Sequence, residues 1–306
     1  MIAPTIEQKD ALQEDDPVNV TGTGTSTMAR PAYDPNGRYE VNSFDVEYRR
    51  DGDRPWLVRI HQPQGDGPFP AMIEVHGGAW RDNDRMQNEP LNRELASGGM
   101  VVASLDFRTS NDAPYPAALL DINYATRWFK LHAVDFNASA AMLGGSGYSS
   151  GGHQVMLAAM RPLQYGTLPL EGGDGVDATL AYVIMGWPVI DPLARYNLAK
   201  GRANEELMAN HIRYFGSEAG MEAASPPHVL ARGESVETPP ALLVQGAADE
   251  SLTRMMAEDF VEKYSLAGGV IELGKYPGAP HGFLRDPGPM SDRALALIKS
   301  FIARQL

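Results

Sequence analysis

This chain predicts an α/β fold with a mainly parallel, doubly wound, eight-stranded sheet, on three observations. Eight short strand-like segments alternate with longer helical patterns along most of the sequence. The first two strand segments alternate with period two, whereas the later ones are mostly continuous apolar runs, as strands covered on both faces require. A Gly/Ser-rich stretch at 144–153 falls between one of those runs and a helix-forming segment, at the kind of strand end where open α/β sheets bind their ligands.

Residues 1–40 are polar and punctuated. The patch from Thr21 to Thr27 alternates threonine with glycine and serine, and Pro31 and Pro35-Asn36-Gly37 follow it. Such composition predicts an extended arm, through which copies of the chain are candidates to associate. Segments 44–48 and 56–60 then predict an opening antiparallel hairpin with one wet face. Apolar runs at 71–75, 101–105, 140–143, 180–185, 241–244 and 270–273 supply the remaining strands. Helical patterns at 117–132, 153–160, 252–265 and 291–304 lie between or after them. The stretch 189–236 interrupts the alternation, mixing helix formers such as Asn204 to Met208 with Tyr214-Phe215 and Ser225-Pro226-Pro227. Long excursions from a compact sheet are usually lids or binding elements, so 189–236 is expected to be a helical cap on a catalytic domain spanning 41–306.

Composition limits the function classes. The 306 residues are 43% hydrophobic and 21% charged, ordinary for a globular α/β chain with one core. A net charge of −13 opposes binding to nucleic acid or to an anionic membrane, because phosphate contact relies on clustered Lys and Arg. The absence of cysteine removes disulfides, thiolate nucleophiles and Cys-ligated metals. No stretch reaches eighteen apolar residues and the first ten lack a basic n-region and an apolar h-region, which predicts a soluble, cytoplasmic protein.

Gly147-Tyr148-Ser149-Ser150-Gly151 fits G-x-S-x-G, the nucleophile-elbow pattern of serine hydrolases. About 0.15 such matches are expected by chance in a chain of this composition, so the flanks decide. Upstream, Ala140 to Leu143 suits a buried strand; downstream, His153 to Met160 suits a helix. Strand, elbow and helix are what the motif demands. Ser146 competes as nucleophile, but the residue two positions on is Tyr148 rather than glycine. Strand 71–75 runs into His76-Gly77-Gly78-Ala79-Trp80, where paired glycines let backbone N–H groups face a cavity and stabilise the oxyanion of a tetrahedral intermediate.

With these motifs in place the chain resembles an α/β-hydrolase, nearest to the hormone-sensitive-lipase-like and kynurenine-formamidase-like carboxylesterases, from about residue 44 to the end. The resemblance implies an oxyanion hole from the N–H groups of Gly77, Gly78 and Ala79 together with that of Ser150. Many relatives have a third glycine where this chain has Ala79, and the sequence here looks like the HGG-x-W variant of formamidase-like members. The family order also requires an acid after the seventh strand and a histidine after the eighth. Asp249 stands in a G-x-x-D turn with Glu250 as its neighbouring competitor, and His281 stands in His281-Gly282-Phe283. Of the seven histidines, only His281 follows the last strand; His76 is expected to support the oxyanion loop.

The implied reaction is cleavage of a small carboxylic ester through an acyl-enzyme, with Ser149 attacking, His281 moving the proton and Asp249 orienting the imidazole. An amidase or arylformamidase working on a C–N bond with the same residues is the alternative, and a non-catalytic binding module the third. Trp80, Tyr148, Trp187 and Phe283, all at strand ends, are the expected walls of a pocket for that small ester or amide. No metal-site, Walker or dinucleotide motif is present, so no cofactor is expected. Asp106-Phe107-Arg108 and Asp121 are expected to form ion pairs that hold loops.

Overall fold

The computed structural model describes residues 33–306. Its strands are β1 (Val41–Asp51), β2 (Arg54–Pro63), β3 (Phe69–Val75), β4 (Val101–Leu105), β5 (Ala138–Tyr148), β6 (Val183–Gly186), β7 (Ala241–Gly246) and β8 (Ile271–Tyr276). Its helices are α1 (Glu89–Ser97), α2 (Ala117–His132), α3 (Ser150–Met160), α4 (Pro192–Gly201), α5 (Glu205–Phe215), α6 (Glu218–Ala224), α7 (Pro226–Ala231), α8 (Met256–Leu266) and α9 (Pro289–Gln305).

The eight strands form one sheet in the order β1-β2-β4-β3-β5-β6-β7-β8. β1, β2 and β4 pair antiparallel and every pair from β4–β3 to β7–β8 is parallel. Burial follows topology. β3, β4, β6 and β7 are buried at every residue, which is why their sequences are continuous apolar runs, while β1 at the edge keeps one wet face. Leu91 and Leu95 of α1 and Ile298, Phe301 and Ile302 of α9 cover one face of the sheet; Ile122 and Phe129 of α2, Val155 of α3 and Phe260 of α8 cover the other. Full burial of each such side chain contributes about 1.5–3 kcal/mol. The segment between β6 and β7 holds α4 to α7, three of them capped by a serine, aspartate or asparagine side chain that accepts a backbone N–H.

Among the differences from the sequence reading are two later starts and one additional helix. β6 starts at Val183 rather than 180, because pairing to β5 begins at Gly145↔Val183. α8 starts at Met256 rather than 252, because the preceding residues form a turn in which Ser251 N–H donates to Asp249 Oδ1 at 2.8 Å. α1, absent from the sequence reading, is short and offers few apolar residues for a periodic signal. Most of the expected arm lies outside the described residues. Its described end is docked: Asp34 N–H donates to Gly98 O, Tyr39 N–H to Ser97 O, and the Tyr39 ring packs edge-on against Phe69 at 5.2 Å. Among the described residues no helix is long and apolar enough to cross a membrane.

Two ion-paired loops lead toward the strand ends. Asp121 of α2, fully buried, accepts from Arg108 Nε and Nη2 at 2.8 and 2.7 Å and forms an ion pair with Arg49, whose Nη2 lies 3.0 Å away. Asp106 receives the backbone N–H and Nη1 of Arg85 at 2.9 and 2.8 Å. The ion pairing expected at Asp106, Arg108 and Asp121 is present.

Glu74, fully buried in β3, accepts from Asn88 Nδ2 at 2.8 Å and Asn92 Nδ2 at 3.5 Å. Burial lifts its carboxyl to about 7 against the opposing pull of those amides, the Ser104 hydroxyl and Arg285. A folded-state value above the unfolded one means that the folded chain retains a proton the unfolded chain releases, so stability falls as pH rises from the unfolded value toward 7 and beyond. We expect this residue to contribute a loss of about 3 kcal/mol between pH 4.5 and pH 8. Urea unfolding at pH 5 and pH 8 reads it: Glu74→Gln should flatten the pH dependence of the midpoint over that window.

Candidate active site

The expected nucleophile sits where three backbone segments converge. Ser149 links β5 to α3 with φ 55° and ψ −122°, a conformation costing a non-glycine residue about 1–3 kcal/mol. It is held there by its neighbours: Ser149 N–H donates to Gly186 O at 2.9 Å and Val189 N–H donates to Ser149 O at 3.0 Å. The flanking glycines are required by contact. A Cβ on Gly147 would stand 2.4 Å from Gly151 O, and one on Gly151 would stand 2.1 Å from Val75 O at the end of β3. This close approach brings the elbow against the loop that follows β3.

Asp249 and His281 arrive from the ends of β7 and β8. His281 Nδ1 lies 2.8 Å from Asp249 Oδ2 and its Nε2 lies 3.0 Å from Ser149 Oγ. With Nδ1–H donating to the carboxylate, Nε2 carries the lone pair and accepts from the serine hydroxyl. Asp249 also accepts Gln245 Nε2 at 3.0 Å and Ser251 N–H at 2.8 Å. Burial raises the Asp249 carboxyl, but the hydrogen bond and charge of His281, with Gln245 and Ser251, outweigh it and hold the group below the ordinary carboxylate range. Among the described residues the Glu250 side chain has no hydrogen bond or ion pair with the imidazole; its backbone carbonyl accepts from Arg202. The competing Ser146 is fully buried within β5 and paired to Glu74 and Ile184 across the sheet.

The loop after β3 folds under α3. Gly78, Ala79 and Trp80 all have positive φ, at 117°, 52° and 61°. Ser150 Oγ accepts the Trp80 N–H at 3.2 Å, tying this loop to the start of the elbow helix. The N–H groups of Gly78, Ala79 and Ser150 have no acceptor among the described residues. Gly77 is different: its N–H donates to Gln87 Oε1 at 2.8 Å, so the expectation that Gly77 supplies an oxyanion donor is corrected to a structural role. His76 supports the loop as expected, its Nδ1–H donating to Gly77 O at 2.8 Å while the ring stacks on Phe107. Burial holds this imidazole at about 4, and therefore neutral.

The four expected pocket aromatics require correction. Trp80, Tyr148, Trp187 and Phe283 are 2%, 0%, 0% and 4% exposed and present no open wall. Trp187 packs against Tyr148, His281 and Phe283, with ring centroids 5.3, 6.2 and 5.9 Å apart, and so backs the imidazole. Trp80 stacks on Tyr214 and meets Phe215 and His211 edge-on, while its Nε1–H donates to His153 Nδ1 at 3.3 Å. The physical reason is that α5 covers the loop after β3, and the largest apolar side chain there fills the interface. His153 completes the link by donating Nε2–H to Ala224 O of α6 at 2.9 Å.

The sheet order and the strand-end convergence define an α/β-hydrolase fold. Solved structures agree: that of Thermogutta terrifontis esterase 2 phosphoramylated by tabun superposes with a TM-score of 0.70 at 22% identity, covering 86% of this chain and 94% of the other. Residues 59–264 match the BD-FAE family model, well over half of the chain, and the chain belongs to that family. Among curated proteins it is similar to the esterases LipQ and LipC of Mycobacterium tuberculosis. LipQ is 24% identical over 261 residues, 81% of this chain and 59% of LipQ; LipC is 29% identical over 229 residues, 71% of this chain and 53% of LipC. It is also 24% identical to the hormone-sensitive lipase of Bos taurus over 157 residues, 51% of this chain and 21% of that one. The chain thus spans a little over half the length of the mycobacterial relatives.

The elbow contacts predict a contrast between two glycines. Gly151→Ala should lower stability by about 1–3 kcal/mol, because only backbone can yield to the new methyl group. Gly201→Ala, at the end of α4 with nothing within 4 Å, should be neutral or raise stability by up to about 1 kcal/mol. Paired thermal or urea melts check both.

Proposed function

We propose that the chain is a serine hydrolase that cleaves small carboxylic esters through a covalent acyl-enzyme. The observation that carries this is the continuous relay from Ser149 Oγ to His281 Nε2, at 3.0 Å, and from His281 Nδ1 to Asp249 Oδ2, at 2.8 Å. In this reading His281 takes the serine proton as Ser149 Oγ attacks the ester carbonyl, and returns it to the departing alkoxide. The acyl group stays on Ser149 until water, deprotonated by the same imidazole, releases it. Asp249 fixes the tautomer and stabilises the imidazolium; it stays ionised throughout. The developing oxyanion is met by Gly78, Ala79 and Ser150, whose N–H groups have no other acceptor among the described residues. Ser150 opens α3, so the positive end of that helix adds to the stabilisation.

The relatives' printed names, esterase and carboxylic ester hydrolase, support a C–O rather than a C–N bond. A small acyl group is further supported by the T. terrifontis esterase 2 structure that holds butyrate. The helices between β6 and β7 act in this reading as the cap that shapes the substrate pocket and excludes water.

Ser149→Ala should reduce turnover of 4-nitrophenyl butyrate by about a million-fold with an unchanged melting profile. Asp249→Asn should cost about a thousand- to ten-thousand-fold through the wrong imidazole tautomer, and Glu250→Gln should be mild. A fluorophosphonate probe followed by peptide mass mapping should label Ser149; labelling at Ser146, or activity surviving in Ser149→Ala, overturns the reading.

A further inference from the structure

Gln245, the last residue but one of β7, shares a carboxylate oxygen with His281. Its Nε2 donates to Asp249 Oδ2 at 3.0 Å and His281 Nδ1 donates to the same oxygen at 2.8 Å, while Oδ1 takes the Ser251 N–H. Nε2 also donates to Gly246 O at 3.0 Å. Both neighbours accept, so both demand the N–H end of the amide, and the carbonyl end must turn away from them. Oε1 is buried with no hydrogen-bond partner among the described residues, on a side chain belonging to a residue only 7% exposed. An orphaned buried oxygen costs stability that an apolar side chain of the same length would not lose. Ala241 to Val244, the preceding residues of β7, are all apolar. The amide at this position therefore answers to its donor end, and that end faces Asp249.

We propose that Gln245 is a positioning residue of the relay: it fixes the plane of the Asp249 carboxylate, takes a share of the charge on Oδ2, and so sets how strongly His281 holds a proton. This rests on the relay of the ester-hydrolase reading, although it concerns only the pair Asp249 and His281. A carboxylate oxygen that serves two donors gives less to each, and removing one concentrates its charge on the other. Without the Gln245 donor the imidazolium is better stabilised, and the neutral imidazole that accepts the Ser149 proton is formed only at higher pH. The other charges around this pair touch it differently. Arg254, ahead of α8, and Lys275 of β8 line a cavity of about 250 Å³ behind Asp249, with Lys275 paired to Glu258 of α8. Arg195 of α4 acts on Asp249 by charge alone, Glu250 is exposed, and Arg285 Nη1 comes near Gly282. Among the described residues His281 is the only ion-pair partner of Asp249.

The test removes the donor and follows the proton. Gln245→Met keeps the length of the side chain, and a thermal melt establishes that it folds. The acid limb of kcat/KM for 4-nitrophenyl butyrate should move up by about half to one pH unit, a loss of roughly three- to tenfold on the limb that is recovered at alkaline pH. The ring-labelled His281 imidazole, titrated by NMR in the resting protein and identified by its loss in His281→Ala, should move by the same amount in the same direction. Where Gln245→Met does not fold, Gln245→Asn, whose amide falls one carbon short of Asp249, carries the same expectation. A displaced His281 titration in a protein that turns over no ester leaves Gln245 in this role and removes the ester-hydrolase reading. A titration that stays in place or moves down overturns the proposal, and an equal loss of rate at every pH then makes Gln245 packing for the end of β7.

Discussion

The close approach of α3 to the end of β3 is the constraint on which the site depends. With Gly151 so near Val75 O and Gly147 so near Gly151 O, the turn between β5 and α3 has no room for side chains except the one that points out of it. Ser149 is that residue, and its strained backbone is held by hydrogen bonds to Gly186 and Val189 rather than by its own preference. The same approach fixes where the following loop can run. Trp80 N–H reaches Ser150 Oγ and so ties this loop to the start of α3, while the N–H groups of Gly78, Ala79 and Ser150 are left without an acceptor among the described residues.

A second set of contacts joins this rigid centre to the helices between β6 and β7. Trp80 donates to His153, and His153 donates to the carbonyl of Ala224, so one chain of N–H donors runs from the loop after β3 through the elbow helix into α6. Arg81 adds to it from the surface, reaching Asn210 Oδ1 at 3.0 Å and Glu206 Oε1 at 3.2 Å on α5. A fully buried, neutral His153 can donate from one ring nitrogen and accept at the other, which an aliphatic residue cannot do. These helices are therefore registered to the loop by directional bonds as well as by the stacking of Trp80 on Tyr214.

The sequence carried the fold and the three converging residues, and the reasons are local. Strands buried on both faces must be apolar throughout, so β3, β4 and β7 could be read with nearly correct bounds. An elbow needs two glycines at fixed spacing, so Ser149 was legible beside Ser146. Asp249 and His281 were legible because chain order leaves few positions after β7 and β8. What failed was the direction of side chains. Trp80, Tyr148, Trp187 and Phe283 were read as pocket walls because they occupy strand ends, yet strand-end position says nothing about which way a ring turns. Gly77 failed for a related reason: Gln87, ten residues on, takes its N–H, and such a contact leaves no periodic signal.

Arg195 lay within the excursion without any motif to distinguish it, and only the fold shows it buried against Trp80. The elbow, the relay and the unpaired N–H groups are built from backbone geometry and from residues that topology prescribes, and so in the proposed reaction they do not distinguish one ester carbonyl from another. Discrimination between substrates requires groups whose interactions are left incomplete by folding, since a satisfied side chain gains nothing from a ligand. In the segment between β6 and β7 most charged residues are exposed and screened by water, while Arg195 is buried against Trp80 with two nitrogens unpaired among the described residues. In the proposed reaction the strand ends therefore carry the chemistry, and discrimination between substrates is left to the helices between β6 and β7, which reach the loop after β3 through Trp80.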